Sequence, residues 1–273
     1  NRRRELRTLF NKRLFADGLN IIDEVMKSCA LPEIQEEFLF WKKLFDTYYY
    51  WDKFGHLKAS LIIKKISKDY LEKFKLDLSG NKEILGRITG KLSRYKEKIK
   101  SRKANKKELL SLKFSLEILV DLFANAERRG QEEKYDDAVA RLYRTTELIA
   151  QIALARYGID TSNIDLQAIS DKVRPLFPEL SQGEKVASIG LDRSYQVLAS
   201  LGEEKANLYL ENKRLKDLLT SRNSSILAHG TVPVGERTYR DLKGEVLKLA
   251  REFVPEMTIF LKKASFPKIK VAL

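Results

Sequence analysis

Apolar residues recur at three- and four-residue steps along almost the whole chain, the spacing of one buried helical face. "LRTLFNKRLFADGLNIIDEVMKSCA" reads as one amphipathic helix, "PEIQEEFLFWKKLFDTYYYWDKF" as a second and "GHLKASLIIKKISKDYLEKF" as a third. A basic stretch follows, which Gly80, Gly86 and Gly90 are expected to break. From residue 114 the helical spacing resumes in "FSLEILVDLFANAERRGQ" and "YDDAVARLYRTTELIAQIALARYG". After a loop come "LQAISDKVRPLF" and "SIGLDRSYQVLASLG". Two long helices, "EEKANLYLENKRLKDLLTSRNSSILAHG" and "RTYRDLKGEVLKLAREFVPEMTIFLKKA", close the chain. No run of alternating β-branched residues reads as a strand, and no internal repeat is visible. The predicted fold is all-α, with an N-terminal helical region over 1–113 and a second helical domain over 114–273.

Composition narrows the functions open to such a fold. The 273 residues are 43% hydrophobic and 33% charged, enough to bury a core. No 18-residue apolar run is present, so no membrane span is expected. The basic start, "NRRRELRTLFNKR", lacks the apolar core of a signal peptide. It also lacks an initiator Met, and the chain is expected to be part of a longer one. Cys29 is the single cysteine, which excludes an internal disulfide and points to a reducing, cytoplasmic location. One Cys and two His do not make a Cys/His zinc site, and no cofactor or metal signature is found.

The net charge is +14, and nearly all of it lies in one stretch. Residues 53–114 hold 19 Lys and Arg against 6 Asp and Glu, an excess of 13. The densest part, "KLSRYKEKIKSRKANKK" (91–107), contains Lys91, Arg94, Lys96, Lys98, Lys100, Arg102 and Lys103. Such a field attracts phosphate backbones; a solvated helix face has the same composition. "GRITGKL" (86–92) is not a phosphate loop. Only three residues separate its glycines, and Leu92 stands where a Mg²⁺-binding Ser or Thr is required; a flexible basic loop is expected instead. The aromatics of "YYYWDKFGH" (48–56) suit a helix–helix contact better than base stacking.

The remaining candidate chemistry lies in "RNSSILAHG" (222–230). Seven residues turn a helix through about 700°, so Arg222 and His229 share one stripe, about 10 Å apart along the axis. Leu208 and Leu215 are expected on the same stripe, which would then pass from apolar to cationic. Ser225 lies between the pair, Gly230 suits the position just past the helix end, and Pro233 forbids continuation. The negative end of the helix dipole favours a protonated His229. That same dipole gathers cations in the last turns of ordinary helices, so spacing alone leaves both readings open.

"RNSSILAHG" resembles the R-x₄₋₆-H motif of HEPN ribonucleases, and Asn223 matches the polar residue that follows their arginine. "DLFANAERRGQEEKYDDAVARLYRTTELIAQIALARYGID" (121–160) is similar to the opening helices of the CRISPR-associated CARF–HEPN accessory proteins of type III systems. "YYYWDKFGHLKAS" resembles the helical segment before their nuclease core. The resemblance implies a HEPN-type helical bundle over 114–273 and metal-independent cleavage of single-stranded RNA. The products would carry 2′,3′-cyclic phosphate and 5′-OH ends. It further implies a homodimer with a composite site. Arg222, His229 and Asn223 are the implied catalytic residues, with Ser225, Glu147 and Arg144 in second rank. Glu147 and Arg144 also have the spacing of an ordinary intrahelical ion pair. The basic segment becomes an RNA track. Cyclic oligoadenylate would act only through a CARF domain, and no strand–helix alternation of that kind is found here. A non-catalytic HEPN-like RNA-binding or dimerisation module is the alternative.

Overall fold

The computed structural model describes residues 2–102, 104–223 and 231–270. The chain divides into two units, one of residues 1–90 with 262–273, the other of residues 91–261.

The first unit contains α1 (Arg2–Asn11), α2 (Phe15–Ser28), α3 (Pro32–Asp52), α4 (His56–Ile63), α5 (Lys68–Lys73) and the first half of α6 (Ser79–Ser101). Its core is built on α3, where Trp41, Leu44, Phe45, Tyr48 and Trp51 recur at helical spacing and are wholly buried. Gly18 of α2 lies against Phe45 so closely that a Cβ there would stand 2.0 Å from the ring. Tyr48 donates to Asn81 Oδ1 at 2.6 Å, and Asn81 donates onward to the carbonyls of Lys263 and Ser265. Phe266 packs on Tyr48 and Trp51, and Asn11 exchanges two hydrogen bonds with the Ile269 backbone. The expected packing role holds for Tyr48 and Trp51 and for the buried His56; Phe54 is exposed.

The second unit begins in the other half of α6 and continues through α7 (Lys106–Lys113), α8 (Leu116–Gln131) and α9 (Tyr135–Ala155). A two-residue antiparallel ladder, β1 (Ile164–Asp165) with β2 (Val186–Ala187), brackets two 3₁₀ turns at Arg174–Leu176 and Pro178–Gln182. Then come α10 (Leu191–Ser200), a 3₁₀ turn at Glu204–Ala206, α11 (Asn207–Leu210), α12 (Lys213–Asn223), α13 (Glu236–Phe253) and α14 (Met257–Ala264), whose last residues return to the first unit. The long helix α9 is the hub, packing on α7, α8, α10, α12 and α13. Its Leu142, Ile149, Ala150 and Leu154 are fully buried. The all-α architecture is as the periodicity predicts, and among the described residues no helix is long and apolar enough to cross a membrane.

Several expected elements differ in extent. The first predicted helix is two, because Arg13 takes a left-handed φ of 62° and the Leu14 N–H folds back to the Leu9 carbonyl. The third is divided into α4 and α5. The closing helix stops at Phe253, ahead of Pro255, which has no N–H to continue it. "LQAISDKVRPLF" forms turns that end in the 3₁₀ turn Arg174–Leu176, and Pro175 and Pro178 keep that turn from growing into a helix. The reverse correction applies at Gly86 and Gly90. Both lie inside the continuous helix α6, where burial of Ile84, Leu85 and Ile88 outweighs a cost of about 1 kcal/mol per glycine. No flexible basic loop occurs there.

Candidate functional site

The helix α12 carries the first half of the Arg–His motif. It starts where the Asn212 side chain accepts the Leu215 N–H at 2.9 Å, an N-cap that separates it from α11. This cap corrects the expected stripe: Leu208 belongs to α11 and is exposed, so it does not lead into Leu215. Leu215 and Leu219, both buried, fix α12 to the bundle. Arg222 and Asn223 are its last two residues, and Arg222 occupies the helical line of Leu215 seven residues on. Ser225 and His229 lie outside the described residues.

The chain beyond the motif is held by α8 and α9. The backbone N–H of Val234 donates to the Asp136 carboxylate, 3.2 and 3.3 Å from its two oxygens. Two residues later α13 begins, and its buried Tyr239 stacks on Tyr135 with ring centroids 5.7 Å apart. Tyr239 lies over Gly130 of α8, where a Cβ would stand 2.0 Å from its ring. The two helices that flank the motif, α12 and α13, thus both pack on α9.

Arg144 and Glu147 of α9 pair with each other at 3.3 Å, with side chains 42% and 30% exposed. This is the intrahelical arrangement their spacing allows. Tyr143, beside them on α9, faces α10 and α12 across an open cleft of about 440 Å³. The cleft is lined by Tyr143, Asp192, Arg193, Tyr209, Lys216 and Leu219, with Thr220 at its rim. Its charges are paired, Lys216 with Asp192 at 3.2 Å and Arg193 with Glu179 at 2.5 Å. Burial and the neighbouring Asp192 carboxylate push the Tyr209 hydroxyl far above its ordinary pKa, so it stays a neutral donor. Tyr209 in turn stacks on the fully buried Tyr195 at 4.1 Å, and Tyr195 donates to the Thr146 carbonyl at 2.9 Å.

The basic segment is the C-terminal half of α6 and the turn after it. Arg94, Lys96, Lys100 and Arg102 are exposed, and Lys91 is half-buried. Lys98 bonds to Glu108 of α7 at 2.8 Å, which raises its pKa. Lys103 lies outside the described residues. Among the described residues, no three His, Cys, Asp or Glu side chains gather closely enough to hold a metal ion.

Sequence reasoning missed Asp136, Asn212 and the cleft. The Asn212 cap carries a local signal, an Asn three residues before the first buried leucine of α12. Asp136 and the cleft have none, because their partners are distant in sequence. A family model described as the Csm6 HEPN domain matches residues 107–252, a little over half of the chain. The match takes in α8, α9, the cleft and the whole span from Arg222 to His229. No curated protein matches the chain.

Proposed function

The chain belongs to the CRISPR-associated Csm6 HEPN family, and from that premise we propose that it is a metal-independent endoribonuclease of type III antiviral defence. The observation that carries this reading is the extent of the family match, which includes both members of the Arg–His pair and the helices that support them. The substrate is single-stranded RNA. The ribose 2′-OH gives up its proton to water as it attacks the adjacent phosphorus, and the 5′ oxygen leaves with a proton, giving 2′,3′-cyclic phosphate and 5′-OH ends.

The residue types suit this chemistry. Arg222 is permanently charged and forked, so it can bind two phosphate oxygens and stabilise the charge that builds on the phosphorane. An imidazole can carry and release a proton in the physiological range, and His229 delivers one to the leaving oxygen. Asn223 orients the phosphate. Ser225, Arg144 and Glu147 have supporting roles. Two copies of the chain bring their motif helices together in a homodimer, so that each cut draws on both. The exposed cations of α6 guide the RNA. Cyclic oligoadenylate acts through a CARF domain; the strand–helix alternation of such a domain does not occur among the described residues.

The test is cleavage of a labelled single-stranded RNA in EDTA by the intact protein, Arg222→Ala and His229→Ala. Cleavage to 2′,3′-cyclic ends by the intact protein alone supports the reading. Equal cleavage by all three overturns it.

A further inference from the structure

We propose that the cleft between α9, α10 and α12 seats a nucleobase that flanks the scissile phosphate, and that it selects bases carrying an exocyclic amine. The inference rests on the ribonuclease reading and adds a substrate subsite to it.

Placement is the first reason. Lys216, Leu219 and Thr220 form the α12 wall of the cleft. They stand seven, four and three residues before Asn223, so all four positions share one face of the helix. The cleft wall therefore runs directly into the motif, within about 10 Å by the helical rise. Chemistry is the second. Half-buried Tyr143 and apolar Leu219 offer a surface on which a base can stack. A volume near 440 Å³ is in the range of small-ligand sites.

Charge decides between base and phosphate. Both cations of the cleft already face carboxylates, so a phosphate placed there would meet Asp192 and Glu179. A base edge is compatible with those carboxylates. The Asp192 side chain is 55% exposed; its carboxylate pairs with Lys216 at 3.2 Å and accepts from Gln196 at 3.3 Å. A carboxylate has about four acceptor positions, which leaves room for an amine N–H of adenine, cytosine or guanine. Uracil has no exocyclic amine, and its one edge donor, N3–H, lies between two carbonyl oxygens that repel the carboxylate.

The test uses RNA strands that are 2′-O-methylated except at one ribose, so that each is cut at one place. The base on either side of that place is varied in turn. The variants are Thr220→Trp, which fills the cleft from an exposed position whose one hydroxyl bond is to its own helix, at the Lys216 carbonyl, and Asp192→Asn. The intact protein is expected to cut about tenfold more slowly with uracil on one side. Thr220→Trp should keep its thermal midpoint and lose the base preference. Its affinity for a fully methylated strand should fall by at least about fivefold, the low end of one stacked base. Asp192→Asn should move the preference towards uracil, because the amide can donate. Unchanged affinity and preference in a folded Thr220→Trp protein overturn the cleft, even where Arg222→Ala abolishes cutting. An intact protein that neither binds nor cuts RNA overturns the ribonuclease reading, and the cleft with it.

Discussion

The Asp136 carboxylate, on the first turn of α9, accepts the backbone N–H of Val234 at 3.2 and 3.3 Å. The bond ties the chain five residues after His229 to the helix that also supports α12. Asp136→Ala should lower the unfolding free energy by about 1.5–3 kcal/mol, the worth of a hydrogen bond to a charged group. Asp136→Asn, which keeps an acceptor oxygen, should lose less. Urea denaturation of the three proteins measures this, and equal midpoints would remove the anchoring role.

Glycine substitutions should split sharply by position. Gly130→Ala drives a methyl into the Tyr239 ring and should cost at least about 2 kcal/mol. Gly86→Ala and Gly90→Ala meet nothing within 4 Å and lie inside α6. Each should stabilise the protein by about 0.5–1 kcal/mol, seen as a higher thermal midpoint.

Replacing Arg94, Lys96, Lys100 and Arg102 together by Ala should weaken RNA binding and flatten its salt dependence. The slope of log affinity against log salt should fall by about 0.7 for each phosphate of a single strand that these cations no longer neutralise. An unchanged slope would separate the segment from RNA recognition. Lys98 is omitted because Glu108 already holds it.

Acid sensitivity should arise partly at Glu37. Burial disfavours its charge, but Arg3 at 2.7 Å and Lys73 at 3.0 Å outweigh that and hold its pKa below the ordinary 4.5. A carboxyl depressed in the folded state stabilises it fully above about pH 4.5. That contribution is lost as pH falls through the lower folded-state value. A denaturation series from pH 6 to pH 3 should be flatter below 4.5 in Glu37→Gln than in the intact protein.

On the proposed mechanism, Arg222→Lys keeps the charge and loses the fork. It should cut RNA at least about a hundredfold more slowly, a loss of the size seen on removing one oxyanion donor. Near-normal turnover by the lysine variant would reduce the residue to a point charge.

Helices with firm apolar periods were legible: α3, α8 and α9 lie where the sequence predicts them. Boundaries without a conventional stop were not. Arg13, Phe54, Lys75, Arg102 and Glu133 all take positive φ at or just after helix ends, where glycine or asparagine is the usual marker. Arg13 hides the end of α1 for this reason, and fused α1 with α2 in the sequence pattern. Gly86 and Gly90 mislead the opposite way, marking breaks where the helix continues. At the site, the Arg222–His229 spacing was visible because both lie in one short segment. The bonds of Asp136 to Val234, 98 residues away, and of Lys216 to Asp192 follow from packing that no local pattern encodes.

The bonds between Asn11 and Ile269 also set an order of events during synthesis. The first unit needs residues from both ends of its sequence: Phe266 completes the aromatic core around Tyr48 and Trp51, and Ile269 satisfies Asn11. All of 91–261 is interposed between its two parts. At about 5–20 residues per second, the ribosome delivers the missing piece roughly ten to forty seconds after Gly90. The unit that is translated first therefore completes its core only after 91–261 has been made, and until then Tyr48 and Trp51 lack the Phe266 ring that covers them.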